Sequence, residues 1–174
     1  TLSLKDERVK HRKIAIPGTR VFAGGNIISF LICRTYFYSI LMQFYHNPIY
    51  YSFCVPRLDR LSLQWDELMN SLSSVGDKGF DFDFKSFDRT LPKALLHAGV
   101  KILLAPLGLP RHEELAIAEY LTAPFCIWKS DVYQCHGVMM SGVLVTFLLN
   151  CVCNELMHMA AWRDIMKESN VKLM

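Results

Sequence analysis

Charge is scarce in this 174-residue sequence: 20% of its residues are Asp, Glu, Lys or Arg, while 52% are apolar. That balance excludes an intrinsically disordered chain and leaves ample side-chain volume for a core. Glycine and proline are few as well, 9 and 7, which excludes collagen-like and low-complexity classes. The six cysteines, Cys33, Cys54, Cys126, Cys135, Cys151 and Cys153, are too scattered for a secreted disulfide framework. Cys151-x-Cys153 and Cys135-His136 are the close groupings, and neither has the two-residue gap of a zinc knuckle. Buried thiols in a reducing compartment are therefore expected. No basic n-region followed by an apolar h-region is present, and no internal repeat. The sequence opens without Met and closes without a tail, so a piece of a larger domain is expected.

Asp, Glu, Lys and Arg are also missing from His136 to Asn154, a run approaching the ~20 residues that span a bilayer. The run contains Ser141, Gly142, Thr146 and Asn150 and follows a β-prone hairpin. A buried helix explains it at lower cost, and no integral span is expected. A membrane-associated protein remains the rival reading.

What charge there is has a place. Residues 1–20 hold six basic side chains (Lys5, Arg8, Lys10, Arg12, Lys13, Arg20) against Asp6 and Glu7, a net +4. The other 154 residues carry 13 basic and 14 acidic side chains, a net −1. A local cluster of this kind suits a phosphate-rich partner. A non-catalytic RNA-binding module would account for it, and so would a plain solvated charge run.

Along the chain, Pro17-Gly18 signals a turn between two short β-prone stretches. Residues 26–45 carry apolar residues too densely for a surface helix, broken by Arg34 and Gln43, and predict a largely buried helix ended by Asn47-Pro48. Residues 62–72 predict an amphipathic helix capped by Ser62. Phe80-Asp81-Phe82-Asp83-Phe84 alternates strictly and predicts a strand with its phenylalanines on one face. Helices are predicted from Thr90-Leu91-Pro92 to about Ala105 and from Pro110 to Leu121. Two β-prone segments follow, near Phe125–Lys129 and Val132–Val138, turning at Ser130-Asp131; residues 142–168 read as one long helix. The fold class is α+β.

Three constellations carry chemistry. Asp83 and Asp88 lie five residues apart where the predicted strand gives way to a helix, and a rigid carboxylate there suits a divalent cation. The plain alternative is a solvated strand end with a helix-initiating Asp. Gly142, Thr146 and Asn150 recur every four residues and share one face of the last helix, just after Ser141. A small-residue contact between helices would explain that stripe too. Lys5, Lys13 and Arg20 sit along a β-prone ribbon that could line a channel for triphosphate, Arg forking two oxygens and Lys acting as a point charge.

In this order the chain resembles the RNA-dependent RNA polymerases of positive-strand RNA viruses, most closely the picorna-like group. Lys5-Asp6-Glu7, Lys13 and Thr19-Arg20 are similar to the family's basic fingertip motif, and Tyr45-His46-Asn47-Pro48 to a turn that follows it in several members. Asp83-x4-Asp88 resembles the first catalytic motif of the palm. Ser141-Gly142-x3-Thr146-x3-Asn150 has the spacing of the second. The chain departs from the pattern at Met140, where many relatives have Pro, and at Val145, where some have Gly. Asp81 is an extra carboxylate, suited to a salt bridge or to tuning the metal site. The Gly-Asp-Asp motif is absent.

The resemblance implies a right-hand fold with partial fingers and palm, the thumb and the Gly-Asp-Asp hairpin missing. Residues 1–75 would be fingers, 76–106 palm with the first motif, 107–137 a fingers–palm hairpin and 138–174 the palm helix. It implies template-directed RNA synthesis from ribonucleoside triphosphates by a two-metal mechanism. Asp83 would be the catalytic metal ligand, and the metal Mg²⁺ with Mn²⁺ as the alternative. Nucleotide would be bound by Lys5, Lys13, Arg20, Asp88, Ser141, Gly142, Thr146 and Asn150. RNA template, primer and other parts of a viral polyprotein are the implied partners. The implied location is host cytoplasm, at membrane-associated replication complexes. Asp88 with Asn150 favours ribonucleotides over a reverse transcriptase's substrates, and the 174-residue piece alone is expected to be inactive.

Overall fold

The computed structural model describes residues 2–4, 21–23, 27–46, 61–79, 81, 83–128, 130–137, 139 and 143–168. The chain is mostly helical, with two small antiparallel strand pairs. Strands β1 (Leu2–Leu4) and β2 (Val21–Ala23) pair as Leu2↔Ala23, Ser3↔Phe22 and Leu4↔Val21. The two residues that flank the basic run, Leu4 and Val21, thus lie side by side.

Helix α1 (Ile27–His46) stops one residue before Asn47-Pro48, as the steric restriction on the residue before proline requires. It was expected to be largely buried, and it is not. Cys33, Phe37, Leu41 and Phe44 form one buried stripe at i, i+4, i+8 and i+11, while Ile27, Ile28, Phe30, Leu31 and Tyr38 are exposed. The core element that it meets lies on that one side. On its exposed flank the Arg34 guanidinium sits 4.7 Å above the Tyr38 ring, one turn on.

Helix α2 (Leu63–Val75) follows Ser62, whose extended backbone starts the helix and whose carbonyl accepts the Trp65 N–H at 3.1 Å. None of its residues is buried.

The strand expected at residues 80–84 is absent from its described residues. Asp81, Asp83 and Phe84 are irregular, and each of the two described sheets is a closed pair without a further strand. An alternating segment without a neighbour to take its backbone hydrogen bonds has no ladder to join. The Phe84 ring instead meets that of Phe87, 5.1 Å away and tilted by 39°. Between them Ser86 adopts φ 54°, ψ 41°, and the single turn α3 (Phe87–Thr90) follows.

Leu91 is buried, and Pro92 is extended ahead of α4 (Lys93–Leu104). The Pro92 carbonyl accepts from the N–H groups of Leu95 and Leu96, so the ring, which lacks an N–H, sits where none is needed. A 3-10 turn at Ala105–Leu107 extends this helix, and Gly108, at φ 58°, ends it. Helix α5 (Arg111–Thr122) begins in the same way after Pro110. Strands β3 (Phe125–Trp128) and β4 (Asp131–Gln134) make a hairpin. Its last pair is Trp128↔Asp131, so the connection is residues 129–130, one position before the expected Ser130-Asp131 turn.

Helix α6 (Thr146–Glu168) starts four residues later than expected. Val143–Val145 form bends and turns, closed by the Thr146 N–H donating to the Val143 carbonyl at 3.1 Å. Two β-branched valines beside a glycine make a poor first turn.

Helix α4 is the centre of the core, packed by α1, α5 and α6. Leu96, Val100, Leu103 and Leu104 meet Phe37, Ile117, Leu121, Leu148 and Leu149, all buried. Burial of each such side chain stabilises by about 1.5–3 kcal/mol. Gly99 lets α6 come close: a Cβ there would lie 2.6 Å from Leu149 Cδ1 and 3.2 Å from Cys153 Sγ. The Cys153 thiol donates to the Leu95 carbonyl at 3.8 Å, so α6 runs antiparallel to α4. Among the described residues no helix is long and apolar enough to cross a membrane.

Candidate functional site

Asp83 is exposed and precedes the left-handed turn at Ser86. For a residue with a Cβ that conformation costs roughly 1–2 kcal/mol, and such strain is characteristically kept at functional sites. The turn swings the chain from Asp83 into α3, where the backbone of Asp88 lies in the first turn. Thr90 pins the turn from below, its hydroxyl donating to the carbonyls of Ser86 and Phe87, each at 3.2 Å. Phe87 packs against the core and Leu91 is buried in it, so the carboxylate-bearing segment is anchored at its C-terminal end.

Thr146 and Asn150 open α6 on one face, a turn apart. Leu148 and Leu149 between them are buried and fix the rotation of that face. Asn150 Oδ1 is shielded from solvent and has no hydrogen-bond partner among the described residues. A buried acceptor without a donor is costly, of order 1–3 kcal/mol, and it is satisfied when a ligand brings an O–H or N–H. Gly142, expected to extend this stripe, lies outside the described residues, as do Ser141, Lys5, Lys13 and Arg20. The stripe on the helix is Thr146 and Asn150.

Helix α4 joins the two segments. The chain from Asp83 and Asp88 runs into its N-terminus through Leu91-Pro92, and the chain leading to α6 docks on the same end. Gly137 has φ 69°, and its N–H donates to the Thr122 carbonyl at 3.1 Å. A Cβ on it would meet the Leu91 carbonyl oxygen at 3.2 Å and the Lys93 nitrogen at 3.4 Å, both backbone atoms. Gly137→Ala combines that crowding with left-handed strain. A cost of about 2 kcal/mol is expected, read as a fall of about 4–8 °C in Tm by circular dichroism; an unchanged Tm would contradict the docking.

Ion pairing reinforces the same corner. Lys93 Nζ lies 2.7 Å from Glu119 Oε1 and 2.9 Å from Oε2, and His97 Nε2 is 3.6 Å from Oε1. The Lys93 hydrogen bond, more than the charges of Lys93, His97 and His136, holds the Glu119 carboxyl below the usual carboxylate range. The pair clamps α5 to the start of α4.

As metal donors the described residues offer Asp83 and, two residues before it, Asp81, both exposed. Among the described residues no three or more His, Cys, Asp or Glu side chains cluster closely enough to hold a metal. One or two open carboxylates do not fit zinc. They fit a hard cation that completes its shell with water and phosphate oxygens.

Sequence reasoning missed two residues that shape this region. Nothing in a serine signals φ 54° at position 86. Gly137 was visible as a glycine, but its need for one comes from the α4 backbone beneath it.

A family model described as viral RNA-dependent RNA polymerase matches residues 1–172. The genome polyprotein of human hepatitis A virus genotype IIIB (isolate HAJ85-1) is 28% identical over 167 residues, covering 96% of the chain and 8% of that polyprotein. The RNA1 polyprotein of Arabis mosaic virus (isolate NW) is 27% identical over 169 residues, covering 92% of the chain and 7% of the polyprotein. The genome polyprotein of simian hepatitis A virus genotype V (isolate AGM-27) is 28% identical over 167 residues, or 96% and 7%. The chain thus spans less than a tenth of the curated relatives that it matches. No solved structure matches.

Proposed function

Because the chain belongs to the viral RNA-dependent RNA polymerase family, we propose that it forms part of the catalytic centre of a polymerase that copies a viral RNA genome from ribonucleoside triphosphates. The observation that carries this reading is the family match across residues 1–172 with the Asp83/Asp88 and Thr146/Asn150 spacings intact. Residues 1–75 and 107–137 are read as fingers with the connecting hairpin, and 76–106 and 138–174 as palm.

The reaction is attack of an RNA 3′-hydroxyl on the α-phosphorus of the incoming triphosphate, with pyrophosphate leaving in line. Asp83 is assigned to hold divalent metal, Mg²⁺ by donor type, which when bound would supply two-metal stabilisation of the attacking and leaving oxygens. Lys5, Lys13 and Arg20 neutralise the triphosphate, Arg20 by forking two oxygens. Asp88 and Asn150 read the ribose 2′-hydroxyl, with Ser141, Gly142 and Thr146 shaping the pocket. Asn150 Oδ1, without a hydrogen-bond partner among the described residues, supports that role, since a 2′-hydroxyl both donates and accepts. The rest of catalysis is positioning. RNA template and primer, and other parts of a viral polyprotein, are the partners. Membrane-associated replication complexes in the host cytoplasm are the proposed location.

Ribose selection tests the pocket. In the polymerase that carries this sequence, Asn150→Asp or Asp88→Ala lowers discrimination between ribo- and deoxyribonucleoside triphosphates by roughly 10–100-fold, the worth of one or two hydrogen bonds. Competition between labelled nucleotides measures it. Unchanged discrimination removes both residues from the pocket.

A further inference from the structure

The open end of the β3–β4 hairpin holds two thiols side by side. Cys126 pairs with Tyr133. Cys135, one residue past the Phe125↔Gln134 pair, stays in register by donating its N–H to the Pro124 carbonyl at 3.0 Å. Strand alternation therefore puts Cys135 on the face shared by Tyr133 and Cys126. The sulfurs are 3.5 Å apart, the Cys135 thiol donating to that of Cys126. Both residues are partly exposed, whereas Cys33 and Cys153 are sealed in the helical core. A disulfide needs a separation of about 2.05 Å, so the sulfurs must approach by roughly 1.5 Å. Cys135 stands beyond the final strand pair, where side-chain rotation and a small backbone adjustment can supply that movement.

We propose that Cys126 and Cys135 form a reversible intramolecular disulfide site, oxidised by a small-molecule disulfide of the glutathione class. One thiolate attacks a sulfur of the oxidant, breaking its S–S bond and releasing one glutathione thiolate. The second thiolate attacks the protein sulfur of the mixed disulfide and releases the other. The two protein protons end on the two glutathione thiolates; the oxidant gains two electrons and the cysteines lose two. Burial, and then the neighbouring Cys135 thiol, hold Cys126 above the ordinary thiol range, so closure speeds up as pH rises and thiolate accumulates. The bond closes the hairpin two residues before Gly137. This inference stands on the hairpin geometry and is independent of the polymerase reading.

The 174-residue chain is incubated with glutathione disulfide at neutral and mildly alkaline pH, acid-quenched, alkylated and weighed. The expected product is about 2 Da lighter than the reduced chain and carries no glutathione. Dithiothreitol restores both alkylatable thiols. Trypsin cleaves after Lys129, between the two cysteines, so the disulfide holds two tryptic peptides together. The peptide with Cys135 also contains Cys151 and Cys153, so fragmentation of the linked species assigns the partner. Cys126→Ser and Cys135→Ser each lose the link and stop at a mixed glutathione adduct. The proposal fails if the linked partner is Cys151 or Cys153, if the unsubstituted chain stops at the mixed adduct, or if both thiols stay alkylatable.

Discussion

Asp83→Ala, in the polymerase that carries this sequence, is expected to reduce nucleotide incorporation by at least about 10³-fold, roughly 4 kcal/mol in the barrier. RNA affinity is expected to stay within about twofold, since removing one acidic side chain takes nothing from the basic groups proposed to meet phosphate. The side chain is exposed in an irregular segment, so its loss leaves no cavity and no buried group unpaired. Stability should therefore stay within about 0.5 kcal/mol. That combination separates a chemical role from a structural one. Asp83→Asn keeps the shape and removes the charge, and it should be nearly as inactive. Asp77→Ala, six residues away and equally exposed, serves as the control for local disturbance. Single-turnover incorporation with excess Mg²⁺ measures the chemical step. Normal turnover in Asp83→Ala would remove the residue from the centre whatever its resemblance to a motif.

The contrast between Asp83 and Asn150 shows what could be seen before folding. Both are read from spacings, five residues from Asp83 to Asp88 and four from Thr146 to Asn150, and the structure places the second pair a turn apart on α6. Proline made several boundaries legible: α1 ends at His46, two positions before Pro48 in the sequence, and Pro92 and Pro110 precede α4 and α5. The alternation in residues 80–84 misled, because a period of two states which side chains would share a face but not whether a neighbouring strand exists to pair with. The long apolar run of α1 misled similarly. A dense apolar run does not tell how many sides of the helix will be covered, and here one stripe is. Ser86 and Gly137 were out of reach for a different reason. Their left-handed backbones answer to docking, of Phe87 on the core and of residue 137 on Leu91 and Lys93, and docking is a tertiary fact.

Gly99 is where the core and the site meet, and a side chain placed there should disturb both. The glycine sits mid-helix, where it is intrinsically worse than Ala by about 0.8–1 kcal/mol. In isolation Gly99→Ala would therefore stabilise α4. In the fold its Cβ lands 2.6 Å from Leu149 Cδ1, 3.2 Å from Cys153 Sγ and 3.7 Å from Val152 Cγ1. Leu149 and Cys153 are both fully buried, so neither has free space to yield into. Overpacking of this kind costs about 1–3 kcal/mol, which leaves Gly99→Ala destabilised by about 0–2 kcal/mol after the helix gain. Gly99→Val adds two more carbons and a branched Cβ, and about 3 kcal/mol or more is expected. Urea unfolding followed by circular dichroism gives both values. A double-mutant cycle identifies the cause: Leu149→Ala alone should cost about 2–5 kcal/mol, but should relieve the penalty of Val at position 99, giving a favourable coupling above about 1 kcal/mol. Strict additivity would mean that the helices had already moved apart. The consequence reaches function because Leu149 and Cys153 bracket Asn150 on α6. Any shift that makes room for a side chain at position 99 turns the face that carries Thr146 and Asn150. In the intact polymerase Gly99→Ala is therefore expected to weaken ribose discrimination before it reduces the amount of folded protein.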